Sequence, residues 1–212
     1  MTTHFTDDEI DALGERLRRG ITHTDRTRYG SHRRVLNVLR SDLEAELRAF
    51  FPNAEAGSRT KRVETVAAKL QRRPDLPLSQ VTDLAGCRII VSGKAEQEAV
   101  VTRLLATYDV QQVDDKSDRP KFGYRAVHFD IRYRGQLMEI QVQTRNQHLW
   151  QMVSEMAAGY DISIKYGGGL QEVNRALQDL SELAWRCDLE GTELPDADID
   201  QARDVITSAH SG

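Results

Sequence analysis

The sequence predicts an α/β (α+β) fold, a mixed, partly antiparallel sheet flanked by helices. Three observations predict it. Both ends of the chain carry apolar residues at helical spacing. In the middle, a β-branched run, Arg88-Ile-Ile-Val91, is followed by an amphipathic segment, the strand-then-helix order of a layered α/β sheet. Further on, two alternating stretches flank the turn Arg134-Gly135, as in a hairpin. The chain divides into an N-terminal helical segment (1–52), a core (53–169), and a C-terminal helix with an acidic tail (170–212).

Thr6-Asp-Asp-Glu9 is a capping-box pattern that opens a helix over about Asp7 to Arg19, ended by Gly20. After a polar connection, a second helix runs from about Ser31 to Phe50 on Val35, Leu36, Leu39, Leu43 and Leu47. Pro52 and Gly57-Ser58 break it. The third helix, from about Thr60 to Arg72, has a core face of Val63, Val66, Ala67 and Leu70. Lys61, Thr65 and Lys69 form a column on nearly the opposite face, with Arg59 just before it. A solvated face has the same pattern.

Asp83-Leu-Ala-Gly86 leads into the strand Arg88–Val91. A carboxylate there is a metal ligand or a turn residue. Gly93 ends the strand, a helix covers about Ala95 to Tyr108, and a short strand lies near Val110–Val113. The charged loop Asp114–Lys121 then feeds the hairpin. In the first hairpin strand, Val127, Phe129 and Ile131 face the core and His128, Asp130 and Arg132 face away. In the return strand, Met138, Ile140 and Val142 face the core, opposite Glu139, Gln141 and Gln143. Arg145 to Ala158 is helical, Lys165-Tyr-Gly-Gly-Gly169 is a mobile break, and Leu170 to Cys187 is the last helix. The tail after Thr192 reads as poorly ordered. Trp150 and Trp185 read as core. His4, His23, His32 and His210 read as surface, and His148 is either packed or site-lining.

With 212 residues, 39% hydrophobic and 29% charged, the chain is long enough for a real core and reads as soluble. No apolar run reaches membrane-spanning length, the N-terminus lacks the order of a signal peptide, and Cys87 and Cys187 stand far apart. A cytoplasmic protein with neither disulfide framework nor zinc site is expected. The net charge of −4 hides eight arginines between Arg16 and Arg40 against one acid, Asp25. That segment either meets a polyanion or pairs with acids elsewhere in the fold.

Cations at Arg59, Lys61 and Lys69, carboxylates at Asp83 and Glu139, a basic loop (Lys116, Arg119, Lys121) and an aromatic at Tyr124 are what phosphoryl-group transfer needs: charge neutralisation, carboxylates for magnesium, and a stacking platform. Four motifs stand in order: Arg59-x-Lys61-x3-Thr65-x3-Lys69, Asp83-Leu-x-Gly86-x-Arg88, Gly123-Tyr-Arg-x-x-His128 and Glu139-Ile-Gln-Val-Gln-Thr144. Over about Arg59 to Tyr166 the chain resembles the RelA/SpoT-type pyrophosphokinases in their small single-domain form.

The resemblance implies a nucleotidyltransferase-like synthetase domain that moves pyrophosphate from ATP to a ribose 3′-hydroxyl of GDP or GTP, making (p)ppGpp and AMP, as in the stringent response. Arg59, Lys61, Thr65, Lys69 and Arg88 would bind ATP. Asp83 and Glu139 would be catalytic and ligate Mg2+, with Glu139 as general base. Lys121, Tyr124, His128 and Gln141 would hold the acceptor. Gln143 stands where the family more often has Arg, and the loop departs from the usual form, so the phosphate-facing cation is open among Lys116, Arg119 and Lys121. Gln147-His-Leu-Trp150 and Lys165-Tyr-Gly-Gly-Gly look closer to the toxic small synthetases. That keeps open the same chemistry on the tRNA 3′ end or an adenine nucleotide, with the Arg-rich segment gripping tRNA and an antitoxin protein as partner. A homo-oligomer is also left open, as is a silent nucleotide-binding module. No His-Asp dipeptide occurs, so the hydrolase of the long members is not expected.

Overall fold

A computed structural model describes residues 5–211. The order is α1 (Asp7–Arg19), α2 (His23–Phe50), β1 (Glu55–Thr60), α3 (Val63–Arg72), β2 (Ala85–Val91), α4 (Lys94–Thr107), β3 (Asp109–Asp115), β4 (Val127–Tyr133), β5 (Gln136–Thr144), α5 (Arg145–Tyr160), α6 (Gln171–Glu190) and α7 (Asp196–Ala209). The strands form one mixed five-stranded sheet in the order β1-β2-β5-β4-β3, as the α/β (α+β) reading expected. Among the described residues, no helix is long and apolar enough to cross a membrane.

Two compact units divide the chain, each assembled from separated stretches. The first comprises 1–89, 105–113 and 129–141. The second comprises 90–104, 114–128 and 142–212.

In the first unit, Ile10, Leu13 and Leu17 of α1 and Leu36, Leu43 and Leu47 of α2 are buried. Both helices start with capping boxes, Thr6 with Glu9 and Thr22 with Asp25, which satisfy first-turn N–H groups. The second box starts α2 at His23, eight residues before Ser31. The segment around Arg59 and Lys61 also differs from expectation. Glu55–Thr60 is a strand, and α3 begins only at Val63. Arg59 therefore lies on β1 and Lys61 in the connection after it, while Thr65 and Lys69 are on α3. The strand has one buried residue, Ala56, and is held by α2. Arg48 and Arg40 donate to the Ala56 carbonyl and the Ser58 hydroxyl, and Thr60 donates to Asn37 Oδ1 at 2.6 Å.

The alternation expected of the hairpin strands holds as far as Val142, whereas Gln143, expected on the polar face, is fully buried. Val127, Phe129, Ile131, Met138, Ile140 and Val142 are all buried. Strand β4 begins at Val127, not at about Tyr124 as the alternation over Tyr124–Tyr133 suggested, and Tyr124 lies before it in a tight turn. The hairpin turn has positive φ at both central residues, Arg134 (47°) and Gly135 (84°), the type I′ geometry that suits strand twist.

In the second unit, Trp150, Val153 and Ala157 of α5 pack with Val173, Leu177, Leu180 and Ala184 of α6. The tail expected to be poorly ordered is α7, which buries Ile199, Ala202 and Ile206 in the same core. Their spacing of three and four residues is helical, and the surrounding acids simply form its outer face.

Among histidines expected at the surface, His23 is exposed. His32 is only 5% exposed, with its ring edge-on to Phe5, and His210 is half-buried, stacked on Tyr160. His4 lies outside the described residues. Trp150 is core, whereas Trp185 is half-buried beneath Arg125 and Lys94.

Candidate active site

In the first unit, Asp83 sits in a short 3-10 turn just before β2, with φ −95° and ψ 23°, a sparsely populated backbone region common at active sites. Both its oxygens are engaged by ammonium groups. Lys61 Nζ donates to Oδ2, and Lys69 Nζ lies 2.8 Å from Oδ1. Burial pushes the Asp83 carboxyl up, but the two lysines outweigh it and hold the pKa below the ordinary aspartate value. Burial pulls Lys61 down, opposed by Asp83 and Glu139 and reinforced by Lys69. Two cations and two carboxylates therefore share one electrostatic neighbourhood.

Glu139 is placed by β5, on the face opposite Met138 and Ile140. Gln141, two residues on and on the same face, donates its amide to Glu139 Oε2. Strand β2 approaches β5 closely at Gly86, where any Cβ would lie 2.5 Å from the Glu139 carbonyl oxygen. Arg88, two residues along β2, is half-buried, with its Nε enclosed and without a hydrogen-bond partner. Arg59 and Thr65 are exposed. The backbone under Lys61 is fixed by Tyr29, a residue that sequence reasoning missed. Its hydroxyl donates to the Lys61 carbonyl at 2.9 Å. Tyr29 is buried on α2, and nothing in sequence distinguishes it from a core aromatic.

In the second unit, Lys121, Phe122, Gly123 and Tyr124 form a four-residue turn closed by backbone bonds in both directions between Lys121 and Tyr124. Phe122 (φ 53°) and Gly123 (φ 82°) both have positive φ, again type I′. For Gly123 this costs little. For a Phe it is strained backbone. The Phe122 ring is seated over Gly167, where a Cβ would meet its Cε1 at 2.4 Å. The turn delivers Tyr124 beside His128, hydroxyl to Nε2 at 3.0 Å, with rings edge to face and Trp150 at 6.2 Å. Lys121 is exposed, its ammonium 5.9 Å from the Phe122 ring centre. Lys116 is paired with Asp114.

Thus Lys61, Lys69, Asp83, Glu139 and Gln141 come together in the first unit, and Tyr124 and His128 in the second. The carboxylates that could serve a cation are Asp83 and Glu139. Among the described residues, no three His, Cys, Asp or Glu side chains converge as a metal site. Of the eight N-terminal arginines, Arg16 pairs with Asp25 and Arg26 with Glu64. Arg18 donates to the Leu70 and Leu76 carbonyls, and Arg40 to Ser58.

Residues 58–167 match the family model described as "Region found in RelA / SpoT proteins". An uncharacterized Mycobacterium tuberculosis protein, Rv1366, is 37% identical over 113 residues, which cover 51% of this chain and 41% of that protein. The chain therefore matches less than half the length of such curated relatives. Among solved structures, the small alarmone synthetase 1 of Bacillus subtilis, bound to its product pppGpp, superposes with a TM-score of 0.67 at 23% identity, covering 77% of this chain and 94% of that one. A GTP pyrophosphokinase family protein from Streptococcus pneumoniae gives 0.64 at 22% identity, covering 90% and 98%. At these identities the likeness establishes a shared fold.

Proposed function

The chain belongs to the RelA/SpoT family, and from that premise we propose that it transfers pyrophosphate from ATP to the ribose 3′-hydroxyl of GDP or GTP, releasing AMP. The observation that carries this reading is the double engagement of Asp83 by Lys61 and Lys69, with Glu139 in the same electrostatic neighbourhood. Two lysines held close by one half-buried carboxylate form a preassembled phosphate-binding pair. A polyphosphate has the charge to draw both ammonium groups onto its oxygens, and Asp83 then faces outward as a free anion.

The donor set fits magnesium. That ion takes one or two carboxylates and fills its remaining positions with water and substrate phosphates, so Asp83 and Glu139 would suffice. Bound there, it would offset the charge of the attacked β-phosphoryl group. Lys61 and Lys69, with Arg59 and Arg88, would orient the triphosphate, and Tyr124 would offer a stacking surface to the acceptor base, steadied by His128. The acceptor 3′-oxygen forms its new bond to the β-phosphorus as the bond from that phosphorus to the α–β bridging oxygen breaks. The bridging oxygen leaves on AMP. The 3′-hydroxyl proton passes to the Glu139 carboxylate, which the Gln141 amide holds in position.

The internal partners of Arg16, Arg18, Arg26 and Arg40 favour a free nucleotide over a tRNA acceptor. They remove half of the proposed basic grip. A transfer assay with γ-labelled ATP and magnesium tests this, run in parallel with GDP, GTP, ATP alone and deacylated tRNA, with Glu139→Gln as control. Label on GDP or GTP is the expected result. Label on tRNA alone would move the reading to a tRNA-modifying toxin. Wild type no better than Glu139→Gln on every acceptor would reject the enzymatic reading.

A further inference from the structure

Arg125 follows Tyr124 directly and is 3% exposed, a guanidinium buried among α6 side chains. Its Nε donates to Ser181 Oγ at 3.2 Å, Nη1 donates to the Ser117 carbonyl, and Nη2 lies 2.9 Å from Glu182 Oε1. The plane lies over Trp185, 5.0 Å from its ring centre. Ser181 is 1% exposed and passes the connection on. Its hydroxyl donates to the Gly123 carbonyl at 2.7 Å. Gly123 itself lies against Trp150, where a Cβ would come within 2.7 Å of Cζ2. Trp150 is pinned in turn by its Nε1 donating to the Leu177 carbonyl at 2.6 Å. On the strand side, Gln143 Nε2 donates to the Arg125 carbonyl at 3.3 Å. The residues on both sides of Tyr124 are therefore tied to one helix face.

That helix lies beyond the family match, which ends at residue 167. Buried guanidinium and hydroxyl groups are costly unless fully bonded, and these two are bonded to each other and to the loop backbone. The arrangement exceeds what packing requires, since an apolar pair would fill the same space without desolvating a charge.

We propose that Ser181 and Arg125 are positioning residues through which α6 fixes the Gly123–Tyr124 turn, and with it the surface that receives the acceptor base. The Ser181 hydroxyl sets the height of the turn by holding the Gly123 carbonyl. The Arg125 guanidinium sets its direction by linking the loop at Ser117 to α6. Neither residue touches substrate. Both act through Tyr124. The acceptor role of Tyr124 rests on the reading above, whereas the mechanical link does not.

The test uses the full chain with Ser181→Ala and Arg125→Lys. Hydrogen exchange followed by mass spectrometry reads the link directly. Peptides covering 117–125 should exchange about tenfold faster in both variants while α6 keeps its protection. In the transfer assay, the KM for GDP or GTP should rise about tenfold with the KM for ATP unchanged, as expected when one buried hydrogen bond that orients the acceptor platform is lost. Unchanged exchange in 117–125, or a rise shared equally by α6, would overturn the proposal. So would equal increases in both KM values. Absence of transfer by the wild type would reject the enzymatic reading alone, and the exchange result would still decide the link.

Discussion

The α-carbon of Gly86 faces the backbone carbonyl of Glu139 so closely that a methyl group there would lie 2.5 Å from the oxygen. The obstacle is backbone in a paired strand, which cannot turn aside as a side chain can. Gly86→Ala should force β2 from β5, costing about 1–3 kcal/mol of stability. It should also displace Glu139 and lower transfer by at least the effect of a misplaced base. Thermal unfolding and the transfer assay check both. A variant with wild-type melting and turnover would mean that the strands are not this close.

Asp83 gives an acid-limb signature. Its folded pKa lies below the ordinary value of 3.8, so its ion pairs contribute fully above that value and are lost as pH falls through the folded pKa. Lys69→Met removes one of the two opposing charges and raises that pKa. That shrinks the stability the ion pairs contribute above 3.8, so the variant should be less stable than the wild type near neutral pH and should lose less as pH falls below that value. Denaturant melts between pH 3 and 6 read this, and the same substitution should lower transfer by orders of magnitude through weakened triphosphate binding.

His32 acts at milder pH. Burial lowers its pKa from 6.5 to about 4, so the fold holds it neutral. Between those two values the unfolded chain is protonated there and the folded chain is not. Stability must therefore decline as pH falls from 6.5 toward 4, by up to about 3 kcal/mol from this group. His32→Gln should flatten that portion of the stability profile. A profile that keeps its full slope would assign the titration to other groups.

Tyr29 supports Lys61 through one hydrogen bond to its carbonyl. Tyr29→Phe keeps the ring packing and leaves that carbonyl without its donor, a cost of about 1–3 kcal/mol. The KM for ATP should rise, and the KM for the acceptor should stay near its wild-type value. Equal increases in both would point to general loosening instead.

The sheet was legible where burial imposes period two. Met138, Ile140 and Val142 alternate with Glu139 and Gln141, and the order of motifs located Asp83 and the two lysines that meet it. Strand β1 was not legible because Glu-Ala-Gly-Ser-Arg-Thr has one buried residue. It is a strand through pairing and through α2 side chains, which no local pattern records. Helix α7 carried a readable Ile199, Ala202, Ile206 stripe, obscured by the density of acids around it. The tie between Arg125 and Ser181 spans 56 residues of sequence. A serine in an apolar helix stripe, with Leu177 and Ala184 as neighbours, is the faint sign that a buried partner exists.

The interleaving of the two compact units constrains synthesis on the ribosome. The first unit draws on residues up to 141, and the second on residues as late as α7. Vectorial emergence therefore cannot finish the N-terminal unit before the loop carrying Tyr124 has been made. Nor can it close the second core before α7 has been made. A product truncated before α7 would lack Ile199, Ala202 and Ile206 from the core they share with Trp150, Val153 and Leu177, leaving apolar surface that is prone to aggregate.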